Sequence, residues 1–240
     1  MGKFTLKNID CKELFNTLED NSIDLIVTDP PYKVTARGNA GNSGGMMKTK
    51  LSMQGKIFKH NDIKPIDYIP EFYRVLKDGS HCYIMTNHVN LYEMLTVAQE
   101  SGFHFIKSLI WNKGNKIMGR CYMSQFEYIL FFRKGKFKQI NFCGTADILD
   151  VPNKKQKGVD GNNLHDTEKP VDLMSILIKN SSNTDDIVCD PFFGIGATPI
   201  ACKLLDRTFV GSEIDSRYFD ITQKRLDNLD GEGTLWENLY

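Results

Sequence analysis

Short apolar runs alternate with amphipathic stretches along this chain, a rhythm that predicts a parallel sheet wrapped by helices. The apolar runs mark strands at Phe4–Ile9, Ile23–Thr28, His81–Thr86, Phe103–Trp111, Phe126–Phe132, Ile187–Asp190 and Thr208–Glu213. Between them, amphipathic spacing marks helices at Cys11–Leu18, Asp67–Leu76, Leu91–Ser101, Pro170–Lys179, Thr198–Leu205 and Arg217–Leu226. In the last, Tyr218, Ile221 and Leu226 recur with a helical rather than an alternating period. The fold class expected is α/β: a doubly wound, mostly parallel Rossmann-like sheet with helices on both faces.

Two stretches break the rhythm. Residues 33–62 hold five glycines and no sustained period, an unusual length of loop inside a compact domain. Residues 134–165 begin basic and turn rich in Asn, Gly and Lys, with a short apolar patch at Ile148–Val151. Neither contains a convincing linker, so residues 1–240 read as a single domain.

Composition narrows the class. The 240 residues are 41% hydrophobic and 25% charged, ordinary for a globular protein. No apolar run approaches the roughly 20 residues that span a bilayer, and the N-terminus lacks an apolar leader. A cytoplasmic protein without a membrane partner is expected. The six cysteines, Cys11, Cys82, Cys121, Cys143, Cys189 and Cys202, form no Cys-x-x-Cys pair. They read as small core residues, with no metal site.

Net charge is zero, but its distribution is uneven. Residues 33–64 carry seven Lys/Arg against Asp62, and residues 107–138 carry eight against Glu127. Such segments suit one basic face, although a solvated surface would show the same charges.

The segment IDLIVTDPPY ends a strand at Asp29, Pro30, Pro31 and Tyr32. In open α/β sheets ligands gather beyond the carboxyl ends of the strands. Prolines lack an N–H, so this turn offers acceptors: the Asp29 carboxylate and the carbonyls of Asp29 and Pro30. A ligand that donates hydrogen bonds, such as the amino group of a nucleic-acid base, fits there. Tyr32 adds a flat face for stacking. The plainer alternative is a strand end with a packed tyrosine.

A second strand leads into Asp190, Pro191, Phe192, Phe193, Gly194, Ile195 and Gly196, followed by a helix. Glycines between strand and helix let a ligand approach the backbone. Nineteen residues after Gly194, Glu213 is spaced to accept from ribose hydroxyls. Acidic Asp190, Asp29 and Asp10 at one sheet edge suit a sulfonium better than a phosphate. No phosphate-binding P-loop sequence occurs. The cofactor expected is S-adenosyl-L-methionine.

Together these residues resemble the amino-group DNA methyltransferases in their permuted (β-class) arrangement, with the D-P-P-Y motif ahead of the cofactor motif. The resemblance makes Asp29, Pro30, Pro31 and Tyr32 catalytic. It gives cofactor contacts to Asp190, Pro191, Phe192, Gly194, Gly196 and Glu213, and to Asp29. Thr167, Lys169 and Pro170, in an H-D-T-E-K-P element, would help to enclose the cofactor; Asp10 and Cys11 would lie beside its adenine. Ala197 and Asp166 depart from the family pattern, where threonine and proline are commoner. The implied layout is a catalytic half at about 1–133, a short inserted target-recognition region at 134–164 and a cofactor half at 165–240, with the basic loop 33–62 sharing in DNA reading.

The resemblance further implies methyl transfer to a flipped-out base of double-stranded DNA, adenine N6 being favoured by D-P-P-Y and cytosine N4 the alternative. Lys33, Arg37, Lys48, Lys50, Lys113, Lys116 and Arg120 would contact the DNA. A homodimer and a separately encoded restriction nuclease fit as partners. More distant readings are an RNA or protein amine methyltransferase and a DNA-binding protein without catalysis. Trp111 reads as core, and Gln125–Tyr128 as a segment near the base pocket.

Overall fold

The computed structural model describes residues 2–31, 63–117, 122–153 and 168–231. In chain order the elements are β1 (Phe4–Lys7), α1 (Cys11–Phe15), β2 (Ile23–Thr28), α2 (Pro65–Val75), β3 (Leu76–Thr86), α3 (Leu91–Glu100) and β4 (His104–Ile117). There follow β5 (Ser124–Arg133), β6 (Ile148–Asp150), α4 (Val171–Ser181), β7 (Ile187–Asp190), α5 (Ala197–Leu204), β8 (Thr208–Ser212) and α6 (Ser216–Gly231).

The strands form one eight-stranded sheet in the order β1-β8-β7-β2-β3-β5-β4-β6. Pairing is parallel from β1 through to β3 and antiparallel where β5 joins β3 and β4; β6 runs parallel to β4. The mostly parallel, doubly wound α/β sheet expected from the sequence is present. The middle strand β2 reads IDLIVT and is buried along nearly its whole length, as a parallel strand covered on both faces must be. Ile26 points into a core with Leu14 and Phe15 of α1, Tyr68 and Phe72 of α2, and Met94 of α3. Leu25 and Val27 point the other way, toward Leu173 and Leu177 of α4 and Ala201 of α5. Helices therefore cover both faces.

The path reverses between β2 and β7: from β2 it proceeds to β3, from β7 to β8 and β1. A crevice at such a switch point is where ligands of open α/β sheets sit. Asp29 directly follows β2, and Asp190 closes β7.

Two strands extend beyond the sequence reading. β3 starts at Leu76 rather than His81, running straight out of α2, and β4 continues from Trp111 to Ile117 as one arm of a hairpin with β5. The patch at Ile148–Val151 supplies β6, three residues that add to the sheet edge at Ile110–Asn112.

The stretch at 134–153 is woven into the scaffold. Lys134 Nζ donates to the carbonyls of Tyr73 (2.6 Å) and Leu76 (2.7 Å), satisfying the C-terminal end of α2. Asn141 ties the stretch to the end of α4 through the carbonyls of Lys179 (3.0 Å) and Ser182 (2.9 Å). Residues 154–164 of the expected recognition region lie outside the described residues.

Candidate active site

The two aspartates of the two Asp-Pro turns come to the same end of the sheet because β2 and β7 pair in register, Ile26 opposite Cys189. One link joins the turns directly: Thr28 Oγ1, the last side chain of β2, donates to Asp190 Oδ1 at 2.7 Å. Thr198 Oγ1 donates to Asp190 Oδ2 at 2.5 Å, and the Phe192 N–H to Oδ1 at 3.0 Å. Asp190 is buried, and burial raises its carboxyl from the ordinary 3.8 to about 7 against the pull of these donors. The expectation that Asp190 lines an acidic pocket is therefore revised. Its oxygens tie the turn after β7 to the end of β2, a role set by depth.

The turn beyond Asp190 is shaped by α6. Gly196 has φ +92°, and a Cβ there would lie 2.6 Å from Thr222 Cγ2. Only glycine accepts both the left-handed backbone and the close helix. Thr222 donates to the Gly194 carbonyl (3.0 Å), and Arg225 Nη1 to that of Ile195 (2.5 Å). Arg225 also pairs with buried Glu168 at 3.1 Å, so one helix clasps the glycine turn and the segment before α4 together. Glu213 accepts from the Gly194 N–H (2.9 Å) and the Asp215 N–H (2.8 Å). The Ile214 backbone N–H also acts on it, and three donors leave the carboxylate acceptor capacity to spare. Pro191 is buried; Phe192 and Gly194 are half-buried.

Asp29 is held differently. Lys169 Nζ donates to Asp29 Oδ2, while Oδ1 is buried and has no hydrogen-bond partner among the described residues. Burial pushes this carboxyl up, Lys169 pulls it back and Glu127 pushes it up again. Burial alone would lower the Lys169 ammonium, yet the two carboxylates outweigh it and hold the group charged, above its ordinary value. Buried Pro30 and half-buried Pro31 follow Asp29, and Pro170 lies buried beside Lys169. Asp29, Pro30, Pro31, Lys169 and Pro170 are thus brought to one corner.

Other expected residues fall as follows. Asp10 caps α1 by accepting from the Lys12 N–H at 2.8 Å. Cys11 is buried in the cluster that includes Tyr68 and Phe192, and burial with the Asp10 carboxylate pushes its thiol up to about 12. Tyr32, Lys33, Arg37, Lys48, Lys50, Arg120 and Thr167 lie outside the described residues, as does Cys121. Lys116 is exposed on the β4 arm. Lys113 contradicts its expected DNA contact: it pairs with Glu127, lies 5.0 Å from the Trp111 ring centre and keeps only 11% of its side chain exposed. Alternation explains the error, since Trp111 and Lys113 are two apart and share a strand face. Lys107, too, is tied to Asp147, at 3.0 Å. The second basic segment is therefore less available to phosphates than its count suggests. Trp111 is core, as expected, with its indole N–H donating to the Val151 carbonyl at 2.8 Å.

Sequence reasoning missed Thr28, Thr198, Thr222 and Arg225, whose roles exist only once distant segments meet. It also missed Tyr68. Its ring meets Phe192 edge-on with centroids 5.4 Å apart, and its hydroxyl is buried without a partner among the described residues. Among the described residues no group of His, Cys, Asp and Glu could hold a metal ion, and no helix is long and apolar enough to cross a membrane.

Comparison with known proteins agrees with this geometry. The DNA methylase family N6_N4_Mtase matches residues 23–224. The Type II methyltransferase M.HpaI of Haemophilus parainfluenzae is 32% identical over 235 residues, covering 88% of this chain and 70% of that protein. M.HinfI of Haemophilus influenzae, also a Type II methyltransferase, is 29% identical over 245 residues, covering 92% and 68%. Among solved structures, the M1.HpyAVI–SAM complex superposes with a TM-score of 0.65 at 23% identity, covering 92% of this chain and 99% of that one. The chain belongs to the N6_N4_Mtase family of DNA methylases.

Proposed function

Starting from that membership, we propose that the chain is a site-specific DNA methyltransferase acting on adenine N6 of a base rotated out of the duplex. S-Adenosylmethionine, when bound, supplies a methyl group activated by positive charge on sulfur. The observation that carries the reading is the buried, unpartnered Asp29 Oδ1 beside a turn tied to it through Thr28 and Asp190. A buried acceptor without a donor costs stability unless a ligand completes it.

An exocyclic amino nitrogen is a weak nucleophile because its lone pair is delocalised into the ring. Asp29 Oδ1 and the Pro30 carbonyl accept its N–H bonds, favouring a pyramidal nitrogen with a localised lone pair. Acceptors fixed where positive charge develops are the strongest kind of electrostatic catalysis. Lys169 keeps the carboxylate from turning away by holding Oδ2. Tyr32 stacks on the extruded base.

The residues present fit a cationic nucleoside. Gly194 carries no side chain at the half-buried turn, Phe192 beside it is half-buried, and the buried Tyr68 hydroxyl has no hydrogen-bond partner among the described residues. Glu213 takes the ribose hydroxyls on its remaining lone pairs. Asp10, Cys11, Thr167, Lys169 and Pro170 complete the enclosure. DNA contacts are made by Lys116 and by Lys33, Arg37, Lys48, Lys50 and Arg120. A cytoplasmic location goes with this substrate. A homodimer and a separately encoded restriction nuclease are the corresponding partners, since the relatives named are Type II methyltransferases.

The test is nucleoside analysis, by mass spectrometry, of DNA from a methylation-free host expressing the chain. N6-methyladenine is expected. N4-methylcytosine in its place would replace the adenine assignment, and methyl label in RNA or protein but not DNA would remove the substrate class.

A further inference from the structure

Asp29 and Lys169 belong to a longer array. Four charged side chains run from β4 to the end of β2 in the order Lys113, Glu127, Lys169, Asp29. Lys113 pairs with Glu127 Oε1, Glu127 Oε2 lies 3.5 Å from Lys169 Nζ, and Lys169 pairs with Asp29 Oδ2. Their side chains keep only 11, 18, 6 and 20% of their surface exposed, so water screens them poorly. Both ammoniums lie near the indole of Trp111, 5.0 and 5.9 Å from its ring centre. Buried ion pairs of this kind are a weak source of stability, because desolvation offsets their attraction. Their placement against the acceptor corner points to chemistry instead.

We propose that Glu127 and Lys113 are positioning residues for the methyl transfer. Glu127 holds the Lys169 ammonium so that it engages one oxygen of Asp29 and leaves the other to the substrate. Lys113 cancels the charge that Glu127 brings. Two carboxylates then face two ammoniums, and the corner is electrically neutral where a cationic methyl donor must enter. This inference rests on the reading of Asp29 as the acceptor of the amino group.

The physical consequence is specific. Without Glu127 the corner carries one surplus positive charge, and Lys169 turns its full charge onto Asp29, blunting it as an acceptor. Without Lys113 the surplus is negative, and Asp29 is harder to ionise. The groups that act on Asp29 come from every element around it: Lys169 ahead of α4, Glu127 on β5, Lys113 on β4, Asp190 at the end of β7 and Tyr68 on α2. Glu127 pushes the Asp29 carboxyl up, whereas Lys169 and Lys113 pull it down.

Single-turnover methyl transfer, followed against pH, reads this out. Glu127→Gln should lower the plateau rate about 10- to 100-fold and move the acidic limb to lower pH. Lys113→Gln should move that limb to higher pH. In Lys113→Gln/Glu127→Gln the limb should return close to that of the unaltered protein, with a rate above that of Glu127→Gln alone. Limbs that stay in place in both single variants, or a double variant no faster than Glu127→Gln, would overturn the proposal. Thermal melting reports folding. If Glu127→Gln does not fold, Lys113→Gln and the double variant still decide. Asp29→Ala run alongside separates the two levels: an active Asp29→Ala removes the acceptor reading, whereas an inactive one with unmoved limbs elsewhere removes only this inference.

Discussion

The two Asp-Pro turns begin alike and end in opposite roles. Each follows a buried parallel strand, each lies at the same end of the sheet, and each carboxylate is pushed up by burial. Around Asp190 three donors converge from Thr28, Thr198 and Phe192, so both of its oxygens are engaged within the protein. Around Asp29 one lysine holds one oxygen, and the other has no partner among the described residues. The first is a fastener, and the second, on the proposed reading, accepts from the substrate. Identical dipeptides at equivalent places acquire their function from the donors that neighbouring segments bring.

The sharpest way to break this contrast is Asp29→Ala. Methyl transfer should fall by at least about 10²–10³-fold, the usual loss when a preorganised electrostatic group is removed. Cofactor affinity, measured by calorimetry, should stay within a few-fold of its original value. Equal losses in both would mean that Asp29 is also a fastener.

Asp190→Ala should do the reverse. It strands two buried hydroxyls and a backbone N–H, costing about 2–4 kcal/mol at the usual 1–3 kcal/mol per unsatisfied group, softened by relaxation. For a chain of this size that lowers Tm by roughly 4–16 °C, and cofactor binding should weaken with it. A calorimetric melt that does not shift would contradict the fastening role.

Gly196→Ala probes the same turn through the backbone. The side chain adds strain at a positive φ, on the order of 1–3 kcal/mol, and collides with Thr222. Cofactor affinity should fall, and Thr222→Ser, which removes the nearest methyl group, should restore part of it. No recovery would mean that backbone strain alone is responsible.

A subtler difference lies in pH. The folded-state carboxyl of Asp190 lies at about 7, above its ordinary 3.8, so the folded form holds a proton that the unfolded chain has released. Its contribution to stability is therefore greatest below the ordinary value, declines as pH rises from about 4 to 7, and levels off above. In Asp190→Asn that decline should vanish, and denaturant titrations at pH 4, 5.5 and 7 would show it. Parallel pH dependence in the two proteins would mean that Asp190 is ionised throughout.

The smallest expected effect concerns DNA. Lys113→Gln should leave the salt dependence of DNA binding unchanged, because Lys113 faces inward. Lys116→Gln should reduce the slope by about one ion, if that residue contacts a phosphate. Filter binding across a salt series distinguishes them, and a loss of slope in Lys113→Gln would put that residue back on the DNA.

Much of this was legible before the fold. The run IDLIVT could only be a buried strand, and it predicted where Asp29-Pro30-Pro31 would stand. The glycine turn, its following helix and Glu213 at the end of β8 kept their expected order. β6 was not legible, because three residues hold no period and its pairing partner on β4 is remote in sequence. Lys113 and Lys134 looked like surface charge, since a count of lysines does not say which way a strand faces or which helix end needs a donor. Glu127 could be suspected from its place at the start of β5, but its partners could not.

By itself, then, the chain order of apolar runs, prolines and glycines determined the class of sheet and the two turns that end its strands at Asp29 and Asp190, because these follow from backbone sterics and from burial along a single segment. The switch between β2 and β7 came with the assembled sheet. Only the tertiary structure decided which aspartate is satisfied and which is left open, which lysines turn inward, and how four charges balance beside Asp29. Electrostatic roles depend on groups within a few ångströms in space, and residues as far apart as Asp29 and Lys169 become neighbours only when the sheet is assembled.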